Sequence, residues 1–401
     1  RIGEKDLKLL INDPDYKLGY VSVSDNYGKY GIVGFYALEK SKHRLEHFLF
    51  SCRTMGMGIE QHGYATLDCP ELIIVEPVSG KVTKEEGLPD YILRVNDLNM
   101  QVKEKNNGTG NQLKVLLKGP CDLEVMASYI ESREVVLDKE FNFVDSNGNQ
   151  ADYYNHLVNI LNCGSNFVMD WCRKYSFLSP EAFETNLFSG KYDVICLSPL
   201  MDATLAVYED GRKNSLAYGL YSKPICLRDR QYLGKKIMTA RSNYDEAELT
   251  AFSEEFQVIK YTPEMVANNL KRVVDRILEK NNTTKIVILL LGELEYKSNN
   301  SDYYETFGDK HIIHTDINLQ IKKVMKDYHS VYLLDVNKFI TSQADYFDNI
   351  NHYSKQVYYK MAQEFVSYIN QISVTDISTS SKLKMLLQNI KRNIYKKFFI
   401  R

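Results

Sequence analysis

The segment Leu113-Lys-Val-Leu-Leu-Lys-Gly-Pro-Cys121 decides the fold class of most of this 401-residue chain. A short apolar run that ends at Gly-Pro is typical of a buried strand followed by a turn. Similar apolar runs recur at Tyr192–Leu197, Lys285–Leu291 and Val331–Val336, with amphipathic helical patterns such as Pro263–Lys280 between them. Buried strands that alternate with helices predict an α/β domain whose parallel sheet is covered by helices on both faces.

The composition divides the chain at a polar stretch rich in Gly and Asn, 103–112, which indicates a linker. We therefore expect a small N-terminal segment, 1–102, and a larger domain, 113–373. The remaining residues, 374–401, begin with a Ser/Thr-rich stretch and end with seven Lys/Arg and no acids from Lys382 to Arg401. This end is interpreted either as an amphipathic helix on a membrane surface or as a helix packed on the domain with its basic face in solvent.

Composition and charge exclude several classes of protein. With 44% hydrophobic and 25% charged residues, the chain has the composition of a soluble globular protein. Its net charge of −2 provides no global field for binding nucleic acid. No apolar run approaches the roughly 18 residues of a transmembrane helix. The seven cysteines are scattered without a Cys-x-x-Cys pair, which favours reduced thiols in a cytoplasmic protein.

A turn with closely spaced glycines lies near the N-terminus. Ser51-Cys-Arg-Thr-Met-Gly-Met-Gly-Ile-Glu60 joins a predicted strand, Leu45–Ser51, to a predicted helix that begins at Ile59. Such glycines allow backbone N–H groups to approach a pyrophosphate, and a helix N-terminus favours its negative charge. The alternative is a tight turn that binds no ligand. The third glycine of a dinucleotide-binding loop is absent from the pattern.

Together with Val23-Ser-Asp-Asn-Tyr-Gly-Lys-Tyr-Gly-Ile-Val-Gly-Phe35, this turn resembles the C-terminal, GNAT-like part of FkbH-type proteins, over about residues 5–75. That family loads glyceryl or similar acyl units onto carrier proteins. The resemblance implies a small α+β, GNAT-like fragment of an acyltransferase. It also implies that Arg53, Gly56 and Gly58 bind acyl-CoA as a cofactor.

The larger domain carries a second resemblance. Gly119-Pro120-Cys121 follows the first strand, where open α/β sheets bind their ligands. Asp348-Asn-Ile-Asn-His352 precedes the last predicted helix, Lys355–Ile369. A nucleophile after the first strand and an Asp/His pair before the last helix resemble the SGNH (GDSL-type) hydrolase family over about residues 113–371. Tyr192–Asp202 falls where that family has its G-x-N-D block. The resemblance implies a flavodoxin-like three-layer α/β sandwich with a parallel sheet.

The chemistry that this resemblance implies is nucleophilic acyl transfer. Cys121, in place of the family's serine, attacks an ester or thioester carbonyl. His352 accepts the thiol proton and later protonates the leaving group, and Asp348 holds the imidazole tautomer. The family's Asp usually stands three residues before the His, where this chain has Asn349. Asp122, next to the nucleophile, is predicted to cap a helix that runs to about residue 130.

We therefore predict an enzyme of acyl transfer, or of acyl-ester or thioester hydrolysis, on a small-molecule, glycan or carrier-bound substrate. Such a site requires no cofactor or metal. His311-Ile-Ile-His314-Thr-Asp316 has the spacing of a metal site, but it precedes a predicted helix, Ile317–Tyr328. The expected partners are an acyl donor and an acyl carrier protein. The alternative is a non-catalytic SGNH scaffold that binds a carrier domain or partner enzyme, in which Cys121 is only a small buried residue.

Overall fold

The computed structural model of the chain describes residues 4–24, 29–51, 54, 57–74, 82–89, 92, 94, 113–131, 135–141, 143–144, 150–218, 246–298, 308–372 and 378–379. The chain forms two compact units, Arg1–Asn111 and Gln112–Arg401, called unit 1 and unit 2 below. The boundary between the units falls inside the predicted linker, 103–112. That linker and the whole of the predicted basic segment at 382–401 lie outside the described residues.

Unit 1 is built on a four-stranded sheet. Its elements are α1 (Glu4–Asn12), β1 (Tyr16–Ser24), β2 (Lys29–Glu39), β3 (Arg44–Phe50), α2 (Ile59–Thr66) and β4 (Glu71–Leu72). The first three strands are antiparallel neighbours, and β4 pairs with β3 in parallel after the crossover through α2. Leu38 and Leu45 of the sheet pack with Tyr64 of α2. The strand and helix predicted around the glycine turn are thereby confirmed.

Unit 2 contains helices and strands in alternation. They are, in chain order, β5 (Leu113–Lys118), α3 (Cys121–Ala127), β6 (Ile130–Glu131), β7 (Val135–Glu140), β8 (Phe143–Val144), β9 (Gln150–Ala151), α4 (Leu157–Leu161), α5 (Asn166–Lys174), β10 (Val194–Leu197), β11 (Ala206–Asp210), β12 (Ser215–Tyr218), α6 (Glu246–Glu255), β13 (Phe256–Ile259), α7 (Pro263–Lys280), β14 (Lys285–Leu290), α8 (Lys310–Met325), β15 (Val331–Asp335), β16 (Tyr346–Asn349), β17 (His352–Tyr353), α9 (Lys355–Ile372) and β18 (Ser378–Thr379).

The main sheet of unit 2 has five parallel strands in the order β15-β14-β10-β5-β7. Numbered by their appearance in the chain, these strands read 2-1-3-4-5 from the β7 edge, which is the flavodoxin-like order. The predicted fold class, an α/β sandwich with a parallel sheet, is therefore confirmed. The chain leaves β5 for β7 on one side and returns to β10 on the other, so the topological switch point lies between β5 and β10.

One hydrophobic cluster of unit 2 covers this sheet, and another lies against the small antiparallel sheet. In the first, β10 and β14 pack against α7 and α8, with Ile195, Val274 and Ile288 almost fully buried. In the second, an aromatic cluster lies beneath the small antiparallel sheet of β12, β11 and β13. Phe252, Tyr175 and Phe256 belong to this second cluster, and the rings of Phe252 and Phe256 are stacked. None of the helices in the described part of the chain is long and apolar enough to cross a membrane.

The helix predicted at Ile317–Tyr328 is wrong in its start, because α8 begins at Lys310. The face of α8 that points into the protein carries the buried polar residues Lys310, His314 and Asn318. These residues stand where an apolar residue would be expected, so they conceal the first two turns of the helical periodicity. His311, His314 and Asp316 therefore lie inside a helix instead of before one.

We expect the substitution Phe252→Ala to destabilise unit 2 by about 3–5 kcal/mol, because it removes a ring that is 1% exposed from a packed aromatic cluster. Urea unfolding monitored by fluorescence measures this change, since the only tryptophan of the chain, Trp171, belongs to the same cluster. Leu319→Ala is the control: this side chain is 60% exposed, and its removal should change stability by no more than about 0.5 kcal/mol. Equal effects of the two substitutions would contradict this account of the core.

Candidate active site

Cys121 occupies the first position of α3, directly after the turn that follows β5. Pro120 is the N-cap residue of α3, which suits a backbone position that needs no donor inside the helix. A Cβ atom on Gly119 would lie 2.8 Å from both Ser198 Cβ and Leu123 Cδ1, so only glycine fits this turn. The strand, the turn and the helix together place Cys121 at the switch point of the sheet, where open α/β folds bind ligands.

His352 and Asp348 come from the hairpin of β16 and β17 that precedes α9. The pairing of this hairpin is irregular: Tyr346 pairs with Tyr353 and Asn349 pairs with His352, which leaves two extra residues on β16. Such a bulge re-aims side chains. It turns the Asp348 carboxylate towards the imidazole although Asp348 stands four residues before His352. Helices α9 and α3 pack against each other, which brings the hairpin close to the turn after β5.

The three predicted catalytic side chains meet in one chain of contacts. Cys121 Sγ lies 3.8 Å from His352 Nε2, and His352 Nδ1 lies 2.7 Å from Asp348 Oδ1. Since a carboxylate only accepts, Nδ1 carries the proton and Nε2 presents its lone pair to the thiol. The exposed fraction rises from 6% for Cys121 to 19% for the His352 side chain and 38% for that of Asp348. The site therefore meets solvent on the side of the hairpin.

Asn349, which stands at the family's Asp position, supports Asp348 instead of replacing it. Its Nδ2 donates a hydrogen bond to Asp348 Oδ1 (2.8 Å), and its Oδ1 accepts from the backbone N–H of Asn351 (2.8 Å). Nδ2 also lies 3.0 Å from His352 Nδ1, but both atoms are donors in the tautomer just assigned. Asn349 thus holds the Asp348 carboxylate in place, and that carboxylate orients the His352 imidazole. A general base needs to be oriented in this way.

Asp122 is not the helix cap that the sequence predicted. Helix α3 starts at Cys121, two residues earlier than predicted, and ends at Ala127, and Pro120 takes the N-cap position. The Asp122 carboxylate instead accepts hydrogen bonds from the backbone N–H of Leu123 (2.7 Å) and from the hydroxyl of Ser198. Asp122 is 4% exposed, and burial raises its pKa to about 6. Sequence reasoning missed this contact because Ser198 lies 76 residues away in the chain.

The segment in the place of the G-x-N-D block has a structural role at Asp202. Its carboxyl group accepts from the backbone N–H of Leu157 (3.2 Å) and from the Tyr261 hydroxyl (3.0 Å), and lies 3.3 Å from His156 Nδ1. Burial raises the pKa of Asp202 to about 8 and lowers the pKa of His156 to about 3. Both groups are therefore neutral at pH 7, and their contact is not an ion pair. His156 Nδ1 accepts from the Val158 N–H.

The predicted acyl-CoA loop is described only in part. Gly58 is the N-cap residue of α2 and has a left-handed conformation with φ of 72°, which favours glycine. Arg53 and Gly56 lie outside the described residues. The binding of acyl-CoA by this loop stays a prediction.

No group of three or more His, Cys, Asp or Glu side chains within the described ranges could hold a metal ion. His314 donates from Nδ1 to the carbonyl of Gly292 (2.8 Å), and burial lowers its pKa to about 3. The two histidines with metal-like spacing therefore differ in environment, since His311 lies on the outer part of α8 while His314 is buried in the core.

Comparisons with known proteins give weak similarities. No family model matches the chain, and a search of curated proteins finds no match. Among solved structures, a carbohydrate acetylesterase from Sinorhizobium meliloti shares 11% identity at a TM-score of 0.32, over 65% of this chain and 100% of that chain. The aryl esterase of M. smegmatis shares 10% identity at a TM-score of 0.33, and the match covers 65% of this chain and 100% of that chain. A protein described as a GDSL-like lipase from Parabacteroides merdae shares 11% identity at a TM-score of 0.31, and the match covers 63% of this chain and 94% of that chain. The function proposed below therefore depends on the geometry of the site alone.

We expect Asp202→Asn to change how stability depends on pH. The folded state keeps Asp202 protonated up to about pH 8, whereas the unfolded carboxyl ionises near its ordinary pKa of 3.8. Its stabilising contribution is complete below pH 3.8 and is lost as pH rises through 8. Between pH 5 and 8 the wild-type protein should therefore lose on the order of 3 kcal/mol more free energy of unfolding than the variant.

Urea unfolding monitored by Trp171 fluorescence at several pH values measures this difference. Asp170→Asn is the matched control, because it makes the same substitution at a side chain that is 70% exposed. Parallel pH profiles for Asp202→Asn and the wild-type protein would show that Asp202 is ionised in the folded state.

Proposed function

We propose that unit 2 is an acyltransferase or acyl hydrolase that acts on esters or thioesters through Cys121, His352 and Asp348. The observation that supports this proposal is the continuous contact from thiol to imidazole to carboxylate at the switch point of a flavodoxin-like sheet. The sulfur–nitrogen distance of 3.8 Å is within the looser range expected before a substrate is bound. Cys121 comes from the start of α3, and Asp348 and His352 come from one hairpin, so the fold brings together residues 231 positions apart in the chain.

In the first half of the reaction, the Cys121 thiol transfers its proton to His352 Nε2 as the sulfur attacks the acyl carbonyl. The carbon–sulfur bond forms, and the carbonyl π electrons move to oxygen. When the tetrahedral intermediate collapses, the leaving alkoxide or thiolate takes the proton from Nε2 and departs. An S-acyl Cys121 remains. Asp348 keeps Nδ1 protonated throughout and stabilises the imidazolium that forms in between.

In the second half, water or an acceptor hydroxyl or thiol attacks the S-acyl group while His352 Nε2 removes its proton. The imidazolium then returns this proton to the Cys121 sulfur as it leaves. The product is a free acid when water attacks and a new ester or thioester when an acceptor does. The same imidazole thus serves as base and then as acid in each half, which requires a group that titrates near neutrality.

Thioesters are the acyl donors that suit a thiol nucleophile. Exchange of one thioester for another is close to thermoneutral, whereas formation of a thioester from an oxygen ester is uphill. We therefore place a carrier-bound or pantetheine-type thioester first among the donors, and small oxygen esters second. An acyl carrier protein is the partner that this chemistry would require.

The test uses the full-length chain and a pantetheine-like substrate, S-acetyl-N-acetylcysteamine. We expect an acetyl adduct on Cys121 by peptide mass mapping, and loss of the thioester absorbance with multiple turnovers. Cys121→Ala should abolish both, and His352→Ala should lower turnover by roughly 10²-fold or more, the usual contribution of general acid–base catalysis. Since the His352 side chain is half-buried at the solvent side of the site, its removal opens a space that water can fill, and the melting profile should change little.

Two matched variants control for reactivity elsewhere. Cys163→Ala removes a half-buried free thiol, and His329→Ala removes an exposed imidazole; neither should change turnover. Turnover that survives in both Cys121→Ala and His352→Ala would contradict the proposed mechanism. In that case the non-catalytic module that binds a carrier domain or partner enzyme becomes the better account of unit 2.

For unit 1, we propose that acyl-CoA binds weakly or not at all, although its turn resembles an acyl-CoA loop. The later GNAT segments are not recognisable in the sequence from 70 to 100, and one pyrophosphate loop supplies only part of the binding free energy. Calorimetric titration of the full-length chain with acetyl-CoA should show a Kd above about 1 mM. A micromolar Kd that is lost in Gly56→Ala would overturn this expectation.

A further inference from the structure

A second carboxylate lies next to the nucleophile and has no part in the mechanism derived so far. Asp122 follows Cys121 directly, is 4% exposed, and holds hydrogen bonds from the Leu123 N–H and the Ser198 hydroxyl. Ser198 is itself fixed, because its backbone N–H donates to the carbonyl of Lys118 (3.1 Å). The carboxylate is thus held rigidly between the turn after β5 and the turn after β10.

Several titratable groups interact electrostatically with Asp122. They are Cys196 on β10, His352 and Tyr353 on β17 and Tyr358 on α9. His352 is the one among these that becomes a cation during the proposed reaction. The charge of a protonated His352 favours the ionised form of Asp122, against the larger opposing effect of burial. Because a Coulomb interaction acts equally on both partners, ionised Asp122 favours the protonated form of His352.

A buried carboxylate is costly to ionise, and a leucine or asparagine would fill a similar volume without that cost. The Asp122 carboxyl nevertheless accepts hydrogen bonds from the Leu123 N–H and the Ser198 hydroxyl, and both bonds favour its ionised form. An ionised Asp122 is next in the chain to Cys121, whose sulfur contacts the imidazole that must accept a proton. Asp348 acts on the same imidazole through a direct hydrogen bond to Nδ1.

We propose that Asp122, held by Ser198, is a positioning residue that raises the basicity of His352 and fixes the turn that carries Cys121. This inference rests on the proposed function, in which His352 takes the thiol proton. Two carboxylates then share the stabilisation of one imidazolium: Asp348 fixes its orientation and tautomer, and Asp122 adds a buried charge close to the sulfur. Ser198 keeps Asp122 ionised, because a hydrogen bond donated to a carboxylate favours its charged form.

The first test measures the titration of His352 by NMR in the full-length chain and requires no catalytic activity. We expect Asp122→Asn to lower the titration midpoint of His352 by about one pH unit, as loss of an anionic neighbour does. Ser198→Ala should move the midpoint in the same direction by less, since it makes the carboxyl harder to ionise without removing it. Glu124→Gln is the matched control: it removes one negative charge from the same short helix, and the midpoint should stay unchanged.

The second test measures kcat/KM against pH with the same thioester substrate. A less basic His352 loses its proton at lower pH, so the acidic limb of the pH profile should move to lower pH in Asp122→Asn. We also expect the plateau value of kcat/KM to fall several-fold. A purely structural role of Asp122 would lower the plateau and leave the limb in place. An unmoved limb together with an unmoved His352 midpoint would overturn the inference.

The two experiments separate this inference from the proposed function. If the wild-type protein turns over no thioester and yet the His352 midpoint shifts in Asp122→Asn, the electrostatic coupling holds and the acyl-transfer proposal fails. If the wild-type protein is active through Cys121 and neither the midpoint nor the limb moves, the proposed function stands and the role of Asp122 is refuted. Circular dichroism and Trp171 fluorescence verify that each variant is folded.

Discussion

The close contact between the turn after β5 and the turn after β10 is the constraint on which the site depends. Neighbouring parallel strands lie only about 4.8 Å apart, so the chain that leaves one strand competes for space with the chain that leaves the next. Gly119 and the small side chain of Ser198 resolve this conflict. Cys121 is thereby fixed at the start of α3, and the packing of α3 against α9 fixes the hairpin that carries His352.

Buried polar groups define the ends of the neighbouring strands. Lys118 on β5 and Glu140 on β7 form an ion pair of 3.3 Å with side chains that are 1% and 8% exposed. Burial lowers the pKa of Lys118 to about 7, partly offset by Glu140, which also accepts from Thr185 and Asn186. A buried ion pair is weak support for stability, but breaking one is strongly destabilising. We infer that this pair specifies which strand ends meet behind the nucleophile.

The sequence predicted those elements whose local pattern and tertiary environment agree. β5 and α7 have the predicted bounds, and α9 starts at the predicted residue, because apolar residues occupy their buried positions. The edge strand β7 went unpredicted, since only the first three of its six residues, Val135–Leu137, are apolar. The small sheet of β11, β12 and β13 was missed because its strands are only four or five residues long, and β13 pairs with β11 from a distant segment.

Within the site, the sequence identified Cys121, His352 and Asp348 as candidates, but it did not predict the backbone geometry that brings them into contact. The separation of four residues between Asp348 and His352 is productive only because β16 is bulged, and a bulge has no simple sequence signature here. The contact between Asp122 and Ser198 depends on the pairing of β5 with β10, which no local pattern specifies. Residue types and chain order therefore identify candidate groups, while the distances between them are properties of the sheet.

The position of Asp122 bears on the class of substrate. In the proposed reaction, an ionised Asp122 next to Cys121 stabilises the imidazolium of the intermediate, but the same charge disfavours a long-lived oxyanion nearby. An intermediate in such a site must collapse quickly, which requires a leaving group that departs easily. A thiolate is a much better leaving group than an amine, and it is better than an unactivated alkoxide. The electrostatics of the site and the thermochemistry of a thiol nucleophile therefore point to the same donors, since both favour thioesters over amides and simple oxygen esters.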